Sequence, residues 1–348
     1  MKTKKSEARE SPEYVRISLA AAMVLGYKTG LFYRGATSPC VNILLNYKEG
    51  CAGNCAYCGL SLKRPGTYTE KSFIRVQWDI YELVDVIEHM KSNLSGVKRI
   101  CISMVTNRRA IKDTNAVLQA LKDSLSMPVS VLAAPTILTA SDLRDFENNG
   151  ADRMGIAVDA ATPHLFERYR GKGVNGPHKW EKYWQLLDEA VGVFGKRKVG
   201  VHLIVGLGET EEEMIRLIQE AHDRGIETHL FTFFPEPDSL LASHPPPAIG
   251  QYRRAQLACY LINTGQAETI EFQFGKNGRL TDFGMAEARL NKFIDSGKPF
   301  MTSGCPGADG EVACNRPYSD SLPGPDIRNF PFLPDAEDIR KIRGELWE

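Results

Sequence analysis

The chain carries no net charge, since 43 lysines and arginines balance 43 aspartates and glutamates. A one-signed surface broad enough to hold a nucleic acid backbone is therefore not expected, and nucleic acid is not an expected partner. Long apolar runs are missing as well. The longest near the start, Ile17 to Leu25, lies between Arg16 and Lys28 and is too short to span a bilayer, so it reads as a buried helix with no role in a membrane. It also lacks the cleavage-site context of a secretory signal. With no export signal, eight cysteines point to a reducing compartment and metal ligation rather than disulfides, and the expected location is cytoplasmic. No repeat or low-complexity segment appears in the 348 residues, which are enough for one large core.

What is present is a compact metal-binding run. Cys51, Cys55 and Cys58, in CAGNCAYCG, offer three thiolates at a spacing that suits a cubic iron-sulfur cluster. One cysteine per iron leaves the fourth iron open. A chelating amino acid end such as that of S-adenosylmethionine would fit there, with its sulfonium beside an electron donor. Zinc completed by a remote Cys or His is the alternative, although structural zinc more often uses paired C-x2-C units and no second pair lies nearby. The run follows Val41 to Leu45, a buried strand by pattern, and Gly50, Gly53 and Gly59 let the loop fold tightly.

Beyond residue 36, short β-rich runs alternate with amphipathic stretches, the pattern of a parallel α/β fold. Strands are expected at Val41 to Asn46, Arg99 to Met104, Val129 to Ala133, Arg153 to Val158, Val199 to Val205, Glu227 to Phe233, Thr269 to Phe274 and Pro299 to Thr302. Eight such strands would close a barrel. Asp79 to Met90, Thr114 to Leu125 and Glu211 to Asp223 would supply outer helices. The expected division is an N-terminal helical extension at 1–36, a barrel at 37–301 and a Pro-, Gly- and Asp-rich tail at 302–348 that wraps the barrel or is disordered. Functional groups gather at the C-terminal ends of barrel strands, where the cysteine loop falls.

Two further runs sit at strand ends. In HLIVGLGETEEEM, Gly206 and Gly208 permit close backbone approach and Thr210 would cap the following helix. In GIAVDAATPHLFERYRG, Asp159 at the barrel mouth would either accept a hydroxyl donor or cap a helix around Pro163.

Together these runs resemble the radical S-adenosylmethionine superfamily, whose motif is CxxxCx(aromatic)C after the first barrel strand. The resemblance implies a TIM-type (β/α)8 barrel in which Cys51, Cys55 and Cys58 hold a 4Fe-4S cluster and Tyr57 packs near the adenine of S-adenosylmethionine. It implies cofactor contacts at Ile204, Gly206 and Glu209, which match a GxIxGxxE motif, at Asp159 on the ribose, and by position at Ser103. His202 stands where that motif usually has Gly, and reads either as an active-site group or as a core histidine.

The IVGLGET run, the cysteine loop and Cys101 are similar to biotin synthase, but VSVLAAP and KVGVHLIVG lack the cysteines that its second cluster needs. Spare thiols lie instead at Cys40 and, in TSGCPGADGEVACNRPY, at Cys305 and Cys314. They read as ligands of an auxiliary cluster or as unrelated cysteines; Cys40 precedes the first strand, opposite the triplet, unless the tail folds over the barrel mouth. A CPG...CNRPY tail on such a barrel resembles subunits of the archaeal-type two-component lipoyl synthase. That resemblance implies two 4Fe-4S clusters and sulfur insertion at C6 or C8 of an octanoyl-lysyl lipoyl carrier domain or H protein. It also implies a second lipoyl synthase subunit and an electron donor such as ferredoxin or flavodoxin. The alternatives are a biotin-synthase-like enzyme, a radical enzyme maturing another metallocofactor, and an iron-sulfur electron carrier.

Overall fold

The computed structural model describes residues 9–68, 70, 71, 73–76, 78–93 and 96–348, so the first part of the charged N-terminal segment lies outside the described residues. The chain enters the sheet as β1 (Tyr14–Ile17) and turns at Ser18, whose side chain accepts from Ala21 N to cap α1 (Leu19–Val24). The helix expected over Ile17 to Leu25 is present but starts only after the Ser18 cap, because Ile17 ends the YVRI run that pairs as a strand. A parallel α/β succession follows: β2 (Cys40–Leu45), β3 (Asp79–Glu82), α2 (Leu83–Ser92), β4 (Arg99–Ser103), α3 (Ala110–Ser124), β5 (Val129–Ala133) and α4 (Ala140–Asn148). It continues through β6 (Ala151–Asp159), α5 (Pro163–Tyr169), α6 (Trp180–Phe194), β7 (Val199–Val205), α7 (Glu211–Asp223), β8 (Glu227–Thr232) and α8 (Ile249–Asn263).

The sheet has eight strands in the order β3-β1-β2-β4-β5-β6-β7-β8, with every pair from β2 to β8 parallel and β1 antiparallel to both β2 and β3. This mostly parallel sheet with outer helices is the TIM-type α/β architecture expected, but two of its strands come from elsewhere in the chain. Thr269 to Phe274 forms a short turn and then β9 (Gln273–Phe274), which pairs only with β10 (Leu280–Asp282). Its alternation is that of a surface hairpin, with Ile270 exposed. Pro299 to Thr302 begins as a helical turn, since Pro299 has no N–H to give a ladder, and only Met301 makes a bridge, to Phe330. Asp79 to Met90, expected as one helix, starts as β3 and becomes helical at Leu83.

Among the described residues no strand pairs with the outer edge of β8, which is covered by side chains of the chain after α8. Ser303 Oγ accepts from Leu230 N (3.4 Å), Asp320 Oδ2 accepts from Thr232 N (3.2 Å), and Asn329 Nδ2 donates to Leu230 O (3.4 Å). At the lower end of the barrel, buried Arg99 makes a two-pronged pair with Asp152 (2.7 Å each) and donates to Pro306 O (2.5 Å), fixing the 305–314 turn there. On the other side of the sheet, buried Arg16 of β1 donates to the carbonyls of Trp78 (2.7 Å), Tyr68 (3.0 Å) and Lys71 (2.7 Å), tying down the long loop that follows the cysteine triplet.

The chain ends with α9 (Glu287–Asp295) and α10 (Ala336–Glu345), the latter docked on α8 through Arg253 and Glu345 (2.7 Å). Beside it, Arg254 pairs with Glu211, which also accepts from Leu280 N, and all these groups are buried. Among the described residues no helix is long and apolar enough to cross a membrane. Removing one partner of a buried ion pair strands the other charge, so Glu211→Ala should cost about 3–5 kcal/mol of stability. Asp188→Ala, which breaks a half-exposed pair with Arg224, should cost at most about 1 kcal/mol. Guanidinium unfolding curves compare the two, and equal losses would reject this account of the α7–α8 junction.

Candidate active site

The cysteine loop leaves the upper end of β2 through Gly50, whose φ is +69° and where a Cβ would lie 2.8 Å from the Tyr68 ring. The loop is then fixed to several barrel-top segments by backbone bonds. Ala52 N donates to Thr106 O (2.8 Å), Ala56 N to Tyr169 O (2.8 Å), and Leu241 N to Ala56 O (3.1 Å). Cys51, Cys55 and Cys58 are half-buried and line one cavity of about 590 Å³. Burial pushes the Cys51 and Cys58 thiols up, and Cys55 adds to both shifts, so the three sulfurs converge closely enough to feel one another. An all-thiol set of this kind fits an iron-sulfur cluster, with its soft iron and shared charge. Among the described residues, no three His, Cys, Asp or Glu side chains are grouped tightly enough for a single metal ion; a cluster takes one thiolate per iron and spreads them further apart.

The other expected cofactor residues surround the same space. Tyr57 OH donates to Asp159 Oδ2, and Arg170 Nη1 lies 3.1 Å from that oxygen. Asp159 sits at φ +66°, beyond a register shift in β6, and burial raises its carboxyl above the usual range although Arg170 opposes the shift. It does not cap α5: Thr162 does, accepting from Leu165 N. Ser103 and Ile204 line the cavity from β4 and β7. Gly206 takes φ +109° where a Cβ would stand 2.6 Å from Pro247, so only glycine fits the turn. Glu209 is engaged within that turn. Its carboxylate accepts from Gly206 N (2.6 Å) and Leu207 N (2.9 Å), so it shapes the backbone that would meet a cofactor instead of facing one. Thr210 caps α7 through a reciprocal bond with Glu213. His202 lines the cavity, its ring 5.6 Å from that of His229, and burial holds it well below its usual range and neutral.

Cys40, Cys305 and Cys314 do come together, but in the lower half of the barrel and not over its mouth, because the 305–314 turn plugs the end where β2 and β4 begin. Cys101, left out of that grouping by the sequence reading, joins them. Cys314 is held well below the ordinary thiol range by hydrogen bonds from Cys101 and then Cys40, with Arg316 and Asn42 assisting. Asn42 Nδ2 bridges Cys40 Sγ (3.6 Å) and Cys314 Sγ (3.7 Å). Cys305, whose carbonyl accepts from Cys314 N (3.0 Å), is pushed up to about 11 by burial and by Cys314. Gly304 permits this fold-back, since a Cβ there would strike Cys314 O at 2.0 Å.

Strand register explains the fourth member. Asn42 pairs with Cys101, so Cys40 and Cys101 approach across β2 and β4, and period-two alternation along β4 puts Cys101 on the inward face with Ser103. That alternation is visible in the sequence; the β2–β4 register is not. The reading also missed Arg170 and His178. Burial and Arg170 push His178 down to about 3, and its Nδ1 meets Thr136 Oγ1 (2.6 Å) and Tyr183 OH (2.9 Å).

No curated protein sequence matches the chain significantly. Among solved structures, methylornithine synthase (PylB) is 14% identical over 70% of this chain and 66% of that one, with a TM-score of 0.49. HydG, a maturase of the FeFe-hydrogenase, is 14% identical over 70% and 53%, with a TM-score of 0.47. The radical S-adenosylmethionine methyltransferase TsrM from Kitasatospora setae, with tryptophan and a cofactor analogue bound, is 13% identical over 90% and 63%, with a TM-score of 0.42. The chain spans less than two thirds of the HydG and TsrM chains and about that share of PylB. The sequence model of the Radical SAM superfamily matches residues 45–238, which hold the cysteine triplet, the Asp159 strand end and the Gly206 turn. That span exceeds half of the chain, and the chain belongs to the Radical SAM superfamily.

Proposed function

We propose that this radical S-adenosylmethionine enzyme inserts sulfur at C6 or C8 of an octanoyl-lysyl lipoyl carrier, as one subunit of a two-component lipoyl synthase. The observation that supports this reading is a single cavity bordered at one end by Cys51, Cys55 and Cys58 and at the other by Cys101, Cys305 and Cys314. On this reading Cys40, Cys101, Cys305 and Cys314 hold the auxiliary 4Fe-4S cluster that is consumed as the sulfur source. Cys101 takes the fourth place; Ser303, close to Cys305 in sequence, serves the edge of β8. Against a biotin-synthase-like arrangement, β5 and β7 present Ser130 and His202 to the interior, and neither is a thiol.

When bound at the Cys51 triplet, the cluster and S-adenosylmethionine supply a radical able to take hydrogen from an unactivated carbon. Such a carbon has no acidic proton, so His202 and His229, both held below their usual range by burial, are not needed as bases toward it. Between the two thiol groups, Leu44, Leu132, Ile204 and Phe231 offer an apolar wall that would align an alkyl chain and keep water from it. Arg316, over the Phe231 ring at 4.0 Å and bonded to Ser303 O (3.1 Å), places a positive charge beside the lower thiolates.

Two cubic clusters would amount to about eight irons per chain. Iron and sulfide analysis after anaerobic reconstitution should find about half of that in the Cys51/Cys55/Cys58 triple alanine variant and in the Cys40/Cys101/Cys305/Cys314 quadruple variant. If the triple variant loses all its iron, the second site is rejected.

Activity separates the finer reading from the family assignment. With reductant, S-adenosylmethionine, the companion subunit and an octanoyl-lysyl peptide, the chain should form deoxyadenosine and add sulfur to the peptide. Deoxyadenosine that is indifferent to the peptide would sink the lipoyl assignment and leave the superfamily chemistry standing.

Glu209→Ala removes a carboxylate that accepts from two backbone N–H groups, bonds worth about 1.5–3 kcal/mol each. The reconstituted variant should keep its iron but bind S-adenosylmethionine at least about tenfold more weakly by equilibrium dialysis. Unchanged affinity would show that the turn holds its shape without the brace.

A further inference from the structure

His178 is buried, lines the cavity next to the cysteine loop, and takes no part in the chemistry described above. Its Nδ1 is engaged by Thr136 and Tyr183, whereas its Nε2 has no hydrogen-bond partner among the described residues. An imidazole nitrogen buried with nothing to bond is costly, and such a group calls for an explanation such as a redox or catalytic role.

The direction in which Nε2 points is fixed by Gly53. A Cβ built on Gly53 would lie 3.0 Å from His178 Nε2 and 3.2 Å from Cys51 Sγ. The nitrogen and the sulfur thus face each other across the bare Cα of a glycine, and any larger residue would stand between them. On the other side of the ring, Arg170 Nη2 donates to the Tyr183 oxygen (3.2 Å), and His178 Nδ1 lies 2.9 Å from that oxygen and 2.6 Å from Thr136 Oγ1, two hydroxyls that can each give it a hydrogen. With Nδ1 assigned as the acceptor, the neutral ring carries its proton on Nε2.

We propose that His178 donates a hydrogen bond from Nε2 to sulfur on the Cys51 side of the radical-generating cluster and thereby sets that cluster's reduction potential. Hydrogen bonds to the sulfurs of a cluster stabilise its more negative, reduced form. Thr136, Tyr183 and Arg170 orient the ring for this purpose, so that the positive Arg170 acts on the cluster through a neutral donor. The inference needs only the superfamily's cluster at Cys51, Cys55 and Cys58 and is independent of the substrate proposed above.

The test is an EPR-monitored redox titration of the anaerobically reconstituted full chain without S-adenosylmethionine, read on the signal that later responds to S-adenosylmethionine. His178→Phe keeps the ring volume and loses the N–H. Its reduced-to-oxidised ratio at a fixed potential should fall about tenfold, which for a one-electron couple is about 59 mV. His178→Gln, which retains an N–H donor, should recover most of the loss. A potential unchanged in His178→Phe overturns the proposal. So does a variant that weakens only S-adenosylmethionine binding, which would assign Nε2 to the cofactor's carboxylate. Should His178→Phe fail to hold iron, pulsed EPR of the wild-type chain carrying 15N-histidine decides the question. Coupling of the reduced cluster to an imidazole nitrogen is expected, and its absence overturns the proposal.

Discussion

The arrangement of this protein depends on the open edge of β8. A parallel sheet that ends without a further strand exposes a row of backbone donors and acceptors, which must be bonded if the barrel interior is to stay dry. Ser303, Asp320 and Asn329 meet that need from three separate points of the C-terminal tail, using side chains where another fold would use a strand. The consequence reaches beyond stability. Holding the tail against the seam carries Cys305 and Cys314 into the interior beside Cys40 and Cys101, so the closure of the barrel and the assembly of the lower thiol group are one structural event.

The two thiol groups differ in how their surroundings treat charge. Around Cys51 and Cys58 burial dominates and raises both thiols, so an incoming cation or cluster supplies the stabilisation that the protein withholds. In the lower group Cys314 is already favoured as a thiolate, by two neighbouring thiols, the Asn42 amide and the Arg316 guanidinium. The upper site is thus built from backbone geometry and bare space, with Gly50 and Gly53 giving the loop its shape, and the lower from side chains brought together by distant segments.

This difference sets what was legible in the sequence. The upper triplet, the six parallel strands from β2 to β8 and the Gly206 turn are local patterns, readable because spacing and period fix them. The two expected strands that failed, at Thr269 and Pro299, had a β-like composition but no partner: one became a surface hairpin and the other a turn opened by proline. β3 was read as the start of a helix and β1 was not foreseen as a strand, because an antiparallel flap has only four-residue strands and its pairing is a tertiary fact. Cys101, noted only for its likeness to biotin synthase, was left out of the lower group, and His178 was missed, for the same reason. Each acquires meaning only from a register or a contact that no local pattern records.

A further consequence concerns how a substrate would reach both ends of the cavity. The lower thiols lie beneath the inward residues of the strands, closed off from below by the turn that Arg99 and Asp152 hold. Entry must therefore come from the upper side, past Leu19 and Met23 of α1 and Tyr318 and Leu322 of the tail, which line the same cavity. A compact, polar substrate would have to shed its water along that apolar route at a cost of several kcal/mol for each unpaired group. A narrow alkyl chain would not. On the proposed function, that preference suits an acyl chain held by a carrier, and it follows from the seam that the tail closes.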